Sequence, residues 1–200
     1  MQICQGIVIP NVSFREDDEE AFEGNYVEYL RKDLEGSDTD TRRRAACDFI
    51  RTLVDRFPKE TTDIVNSYIL QLLSRYTGNP ATEWPVKDCA MHMVMALAVK
   101  GKTTAAGATS VNELVNIEQF FEEHVLPELS TTDVNERPVL KADGLRCVHP
   151  SMHAWAELFR EVGRSMWYVH VSVVVWLRSG CVWDAGTSTC FVVDCRNRSC

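Results

Sequence analysis

Residues 33–57 read DLEGSDTDTRRRAACDFIRTLVDRF. Gly36, Ser37 and Asp38 have the composition of a turn. Arg42, Arg43 and Arg44 follow, and then Ala46, Phe49, Ile50, Leu53 and Phe57 recur three to four residues apart. That spacing predicts an amphipathic helix from Thr41 to about Phe57, with those five as its buried stripe. Thr39 or Asp40 is the expected N-cap, since a short side-chain oxygen accepts from the free N–H groups of the first turn. The three arginines stand in that first turn, where the helix dipole opposes cations. Their placement asks for acidic neighbours (Asp38, Asp40 or the acidic segment upstream), or else leaves them as plain surface charges.

Upstream, the chain is acidic. Between Phe14 and Asp40 there are eleven carboxylates against three basic residues, a balance that equals the net charge of −8 of the whole chain. Glu16, Asp17, Asp18, Glu19 and Glu20 are consecutive, and Gly24-Asn25 divides the segment into two short helical pieces. Such a block is either a solvated face or a surface for a basic partner. Residues 3–9 read as the last turns of a helix that Pro10-Asn11 ends. A chain that opens inside an element suggests a fragment.

Downstream, the helical pattern repeats. Pro58 opens a helix with Val65, Tyr68, Ile69, Leu72 and Tyr76 inward, closed by Gly78-Asn79-Pro80. Pro85 opens the next, to about Lys100, with Val86, Ala90, Val94 and Leu97 inward and Met91, Met93 and Met95 as adaptable packing. Small residues over 103–110 form a loop. A further helix starts near Asn116 with Ile117, Phe120, Phe121 and Leu129 inward, and Pro138 opens another. Helix starts at Thr41 and Pro85 are 44 residues apart, and Pro138 follows after 53. Paired amphipathic helices at ~40–47 residues are the mark of HEAT or armadillo arrays. The expected fold is therefore all-α: a HEAT-repeat solenoid of about three helix pairs, with an acidic insertion over about residues 14–40.

Several chemistries are excluded on pattern. No nucleophile–base–orienter set can be argued from the spacing, so no enzyme is expected. Gly101-Lys102-Thr103 lacks the earlier glycine and the strand of a phosphate loop. The acidic balance argues against nucleic acid. The longest apolar run, residues 166–177, falls short of the ~20 residues of a membrane span. His92 reads as packed on an apolar helix and His124 as a surface residue. No metal or cofactor is expected.

Four stretches bear on the family: IVIPNVSFREDDEEAFEGNYVEYLRKDLEGSDTDTRRRAACDFIRTL, VKDCAMHMVMALAVKG, VNELVNIEQFFEEHVLPEL and NERPVLKADG. Over about residues 3–146 the chain resembles the middle of a nuclear export receptor of the importin-β (karyopherin) superfamily. The resemblance implies a HEAT solenoid that shuttles between nucleus and cytoplasm, with Ran in its GTP state and importin-α as partners. It also implies that the acidic stretch is an insertion within a central repeat, near the partner-facing surface. On that basis Glu16, Asp17, Asp18, Glu19, Glu20, Asp33, Glu35, Asp38 and Asp40, with Arg42, Arg43 and Arg44 beside them, are the expected contact or hinge residues. The alternative is a HEAT scaffold with no transport role.

Residues 147–200 differ in composition. They hold five of the eight cysteines and four of the five tryptophans, and no lysine, isoleucine or glutamine. They are expected to be an unrelated, irregular tail with a strand-like run at 166–177. Cys181, Cys190, Cys195 and Cys200 lack the C-x-x-C pair of structural zinc sites. Pro150 weakens any helix that would bring His149 and His153 together beside Cys147.

Overall fold

The computed structural model of the chain describes residues 2–26, 28–29, 41–100, 110–131, 136–148, 181–184 and 189–192. They fall into two compact units, Met1–Ser151 and Met152–Cys200.

The first unit is built of helices. Helix α1 opens as a π-helical turn, Cys4–Val8, and continues as Ile9–Val12. Then come α2 (Glu16–Gly24), α3 (Arg42–Arg56), α4 (Pro58–Gly78) and α5 (Trp84–Ala98). A short ladder, β1 (Val99–Lys100) with β2 (Ser110–Val111), joins antiparallel the two ends of the segment that holds the small-residue loop. The loop itself, 101–109, lies outside the described residues. Helix α6 runs through Ile117–Phe120, a π-helical turn Phe121–Val125, and Leu126–Leu129. Helix α7 is Pro138–Val148.

The helices stack as pairs. α5 packs most extensively on α4, α1 on α3, and α6 on α7. Between pairs, α3, α5 and α7 form a row, α5 touching both of the others. The pairs are thus shifted by one helix from a division at Thr41 and Pro85. The spacing of helix starts sets the period but not its phase, and α1 is the partner that α3 needs. Helix α2 falls in the connection between the two helices of the first pair.

α5 is the centre. From Lys87 to Ala98 every residue but Met95 is buried, as expected of a helix enclosed on all sides. The main apolar cluster joins Val8 and Val12 of α1, Ile50 and Val54 of α3, Val65 and Ile69 of α4, and Ala90, Met93 and Leu97 of α5. Each fully buried large side chain contributes about 1.5–3 kcal/mol.

Other expectations change in detail. The N-cap of α3 is Thr41, whose hydroxyl accepts from the Arg44 N–H at 3.1 Å. The buried stripe of α3 is Arg43, Ala46, Cys47, Ile50 and Val54, while Phe49 and Phe57 are exposed. On α4, Val65, Ile69 and Leu72 are buried as expected, joined by Thr61, Thr62 and Leu73. On α6 it is Phe121, Val125 and Glu128 that are buried, with Ile117, Phe120 and Leu129 only half so.

Pro10 does not end the first helix. The Ile9 N–H reaches back five residues to the Cys4 carbonyl, and the chain passes through Pro10 to Val12. Pro127 sits identically inside α6, where the Leu126 N–H reaches the Phe121 carbonyl. A proline ring would clash with the carbonyl four residues back in an α-helix, and the wider turn before each proline moves that carbonyl aside.

In the second unit β3 (Cys181–Asp184) pairs antiparallel with β4 (Thr189–Val192), Cys181 opposite Val192 and Asp184 opposite Thr189. The strand expected at 166–177 lies outside the described residues.

Candidate functional site

Two of the three arginines explain themselves once α1 and α3 are side by side. A helix end leaves four carbonyls without intrahelical donors. At the end of α1 the Ile9 carbonyl is taken by the Ser13 N–H and hydroxyl at 2.9 and 2.7 Å. Arg42 Nη1 donates to the carbonyls of Pro10 (3.1 Å) and Asn11 (2.7 Å), and Arg15 Nη2 also reaches Pro10 (2.6 Å). Arg43 Nε takes Val12 at 2.9 Å. Arg42 and Arg43 stand at the unfavourable end of their own helix because they serve the C-terminal end of α1, where the dipole favours cations.

Arg42 also anchors the acidic helix. Its Nη2 donates to the Ser13 carbonyl at 3.1 Å and to Asp18 Oδ2 at 2.6 Å. Asp18 Oδ2 accepts in addition from the Arg15 N–H at 3.0 Å, which caps α2. Glu16, Asp17, Asp18 and Glu19 fill the first turn of α2, the end that stabilises carboxylates. With Asp18 turned inward, Glu16, Asp17, Glu19 and Glu20 remain exposed. Beside them Phe14 and Trp84 pack at 5.1 Å and, with Pro85, floor an open cleft of about 510 Å³ rimmed by Glu16, Asp17 and Glu19.

Arg43 turns the other way, into the core. Nη2 donates to Asp88 Oδ2 at 2.5 Å and lies 3.0 Å from His92 Nδ1, and Nη1 donates to the Tyr29 hydroxyl at 3.1 Å. His92 Nδ1 also lies 3.1 Å from the Asp88 backbone carbonyl, and its Nε2 lies 3.6 Å from Asp143 Oδ1 on α7. Burial pushes the Asp88 carboxyl up, but Arg43, His92 and a hydrogen bond with Asp143 outweigh it and hold Asp88 below its ordinary value. Burial likewise opposes the charge on Arg43, and Asp88 and Asp143 hold it on.

Among the described residues Asp88, His92 and Asp143 have the composition of a metal site, with ligand atoms within 4.8 Å of one another. Arg43 supplies the positive charge there instead: a cation reaching Asp88 and His92 would meet its guanidinium.

A second polar node is built around Lys87 of α5. Lys87 Nζ donates to Glu128 Oε1 at 2.6 Å, as does the Tyr76 hydroxyl at 2.8 Å, and Arg137 Nη1 donates to Tyr76 at 2.6 Å. Burial pushes Lys87 down and Tyr76 up to about 12, while Lys87 and Tyr76 hold the Glu128 carboxyl down against its own burial. Arg137 occupies the left-handed region with φ 49, just before α7.

Of the expected site residues, the structure pairs Asp18 with Arg42, buries Arg43 against Asp88, and leaves Glu16, Asp17, Glu19 and Glu20 exposed. Arg44 lies at the surface, 4.0 Å from Asp48. Asp33, Glu35, Asp38 and Asp40 lie outside the described residues. Sequence reading missed Tyr29, Asp88 and Asp143, and it read His92 as packed on its helix without assigning it to a polar node. The available signal was the spacing of Arg43, Cys47, Ile50 and Val54, which puts an arginine on the buried stripe, with Asp88 and His92 one turn apart on an apolar helix.

Stacked helix pairs repeating along the chain define an α-solenoid. The family model described as Cse1 matches residues 1–158, and the chain belongs to the Cse1 family. Exportin-2 from Homo sapiens and from Bos taurus are each 50% identical over 146 residues, 73% of this chain. Exportin-2 from Xenopus laevis is 49% identical over the same length. The chain spans about 15% of the length of these relatives. A solved structure described as the exportin Cse1 in its cargo-free, cytoplasmic state superposes with a TM-score of 0.73 at 32% identity, over 87% of this chain and 18% of that one. The solenoid is of the exportin HEAT type. Among the described residues no helix is long and apolar enough to cross a membrane.

Proposed function

We propose that the chain is a central segment of a nuclear export receptor, one whose complete form carries importin-α out of the nucleus with Ran in its GTP state and shuttles between nucleus and cytoplasm. Family membership supports the transport role. The seat of α2 is the observation that supports a partner contact here. Asp18 is spent on Arg42, so the helix is held against its own repeat while Glu16, Asp17, Glu19 and Glu20 face outward. A fixed row of carboxylates favours a partner with lysines and arginines and speeds its arrival. The segment acts by binding, with no reaction of its own.

The test is retention of importin-α and Ran on the immobilised full chain, with Ran loaded with GTP or GDP. The expected result is retention in GTP only, falling with added salt and in the triple variant Glu16→Lys, Glu19→Lys, Glu20→Lys. Equal retention with either nucleotide would return the chain to a general HEAT scaffold.

A further inference from the structure

The helices of successive pairs share one side chain. Arg43 contacts the end of α1 at the Val12 carbonyl, the acidic segment at Tyr29, and α5 at Asp88 and His92. His92 in turn faces Asp143 of α7. We propose that Arg43 couples the seating of the acidic segment to the stacking of the next two helix pairs, so that release of Tyr29 and movement of α7 on α5 are one transition.

Three observations carry this. First, the guanidinium is a planar, rigid fork. Its donors cannot be re-aimed one at a time, so displacing Tyr29 from Nη1 turns Nη2, which holds Asp88 and His92. Second, the Arg43–Asp88 pair is 5% and 0% exposed at its side chains. Separating it would strand a buried charge, so the pair moves together. Third, the main apolar cluster is drawn from α1, α3, α4 and α5. Asp143 of α7 meets α5 at the polar node rather than within that cluster. The coupling belongs to the fold and stands whether or not a transport partner engages the acidic face.

The test uses the full chain and hydrogen exchange read by mass spectrometry. Tyr29→Phe removes one half-buried hydroxyl at one end of the node, and Asp143→Asn replaces the carboxyl group at the other by an amide. Neither replaces Arg43 or Asp88 itself. Coupling is reciprocal by linkage. Tyr29→Phe is therefore expected to raise exchange in α7 as well as around α2, and Asp143→Asn to raise it around α2 as well as in α7, each by at least about fivefold at the far end. Changes confined to the mutated end, or none at either end, overturn the proposal. Should Asp143→Asn fail to fold, Tyr29→Phe alone decides: unchanged exchange in α7 overturns it.

Discussion

Arg43 and Arg42 are neighbours with different energetics. Arg43 is buried against Asp88, so Arg43→Ala leaves a carboxylate without its cation. The expected loss is about 3–5 kcal/mol of unfolding free energy, read from urea denaturation. Arg43→Met with Asp88→Leu removes both charges and is expected to cost less than Arg43→Ala alone, since apolar replacement of a buried pair is often neutral. The Arg42–Asp18 pair is about a quarter exposed, so Asp18→Ala, which also removes a cap, is expected to cost about 1 kcal/mol. Acid should act through the buried carboxylates. The folded-state values of Asp88 and Glu128 lie below their ordinary 3.8 and 4.5. Their contribution is complete above those ordinary values and is lost as pH falls below them through the folded ones. The urea midpoint should therefore hold from pH 7 to about 5 and drop by pH 3. A midpoint unchanged at pH 3 would refute it. None of this is legible from an Arg-Arg-Arg run alone. Which arginine is buried depends on the rotation of α3, and that is set by α1 and α5.

At the scale of elements, the helices were legible and their rotation was not. On α3, Phe49 and Phe57 weigh heavily in any apolar stripe, yet both face outward, and the buried line runs instead through Arg43, Cys47 and two branched residues. Hydrophobicity alone places a phenylalanine inside and an arginine outside. A paired charge reverses that at the Arg43 position, and the phenylalanines follow the rotation. The boundary with α7 yields a sharper test. A Cβ on Gly144 would lie 3.1 Å from Leu129 Cδ2 and 3.3 Å from Val125 Cγ1. Gly144→Ala sets a helical gain of up to about 1 kcal/mol against that crowding, so little net change is expected. Gly144→Val cannot fit without moving α6 and should cost about 1–3 kcal/mol in the same denaturation assay.

For the whole molecule, the period of the helix starts was enough to name the architecture, because a paired-helix array repeats its punctuation as well as its apolar faces. It could not give the phase, since the first pair is interrupted by the acidic segment and its opening helix reads as a stub cut short by Pro10. That opening helix leaves Ile3 and Ile7, four residues apart, both more than half exposed. The chain is expected to self-associate in sedimentation velocity, and Ile3→Lys with Ile7→Lys to shift it toward monomer. A single monomeric boundary for the parent chain would count against this. The two π-helical turns carry another consequence. Each holds one residue more than an α-helix needs, directly ahead of a proline. These are therefore the two places in the described helices where the chain can be shortened by a single residue, with the proline exchanged for alanine, and still present the same faces on either side. Comparing lengths across homologues should find gaps of one residue at these positions, accompanied by loss of the proline.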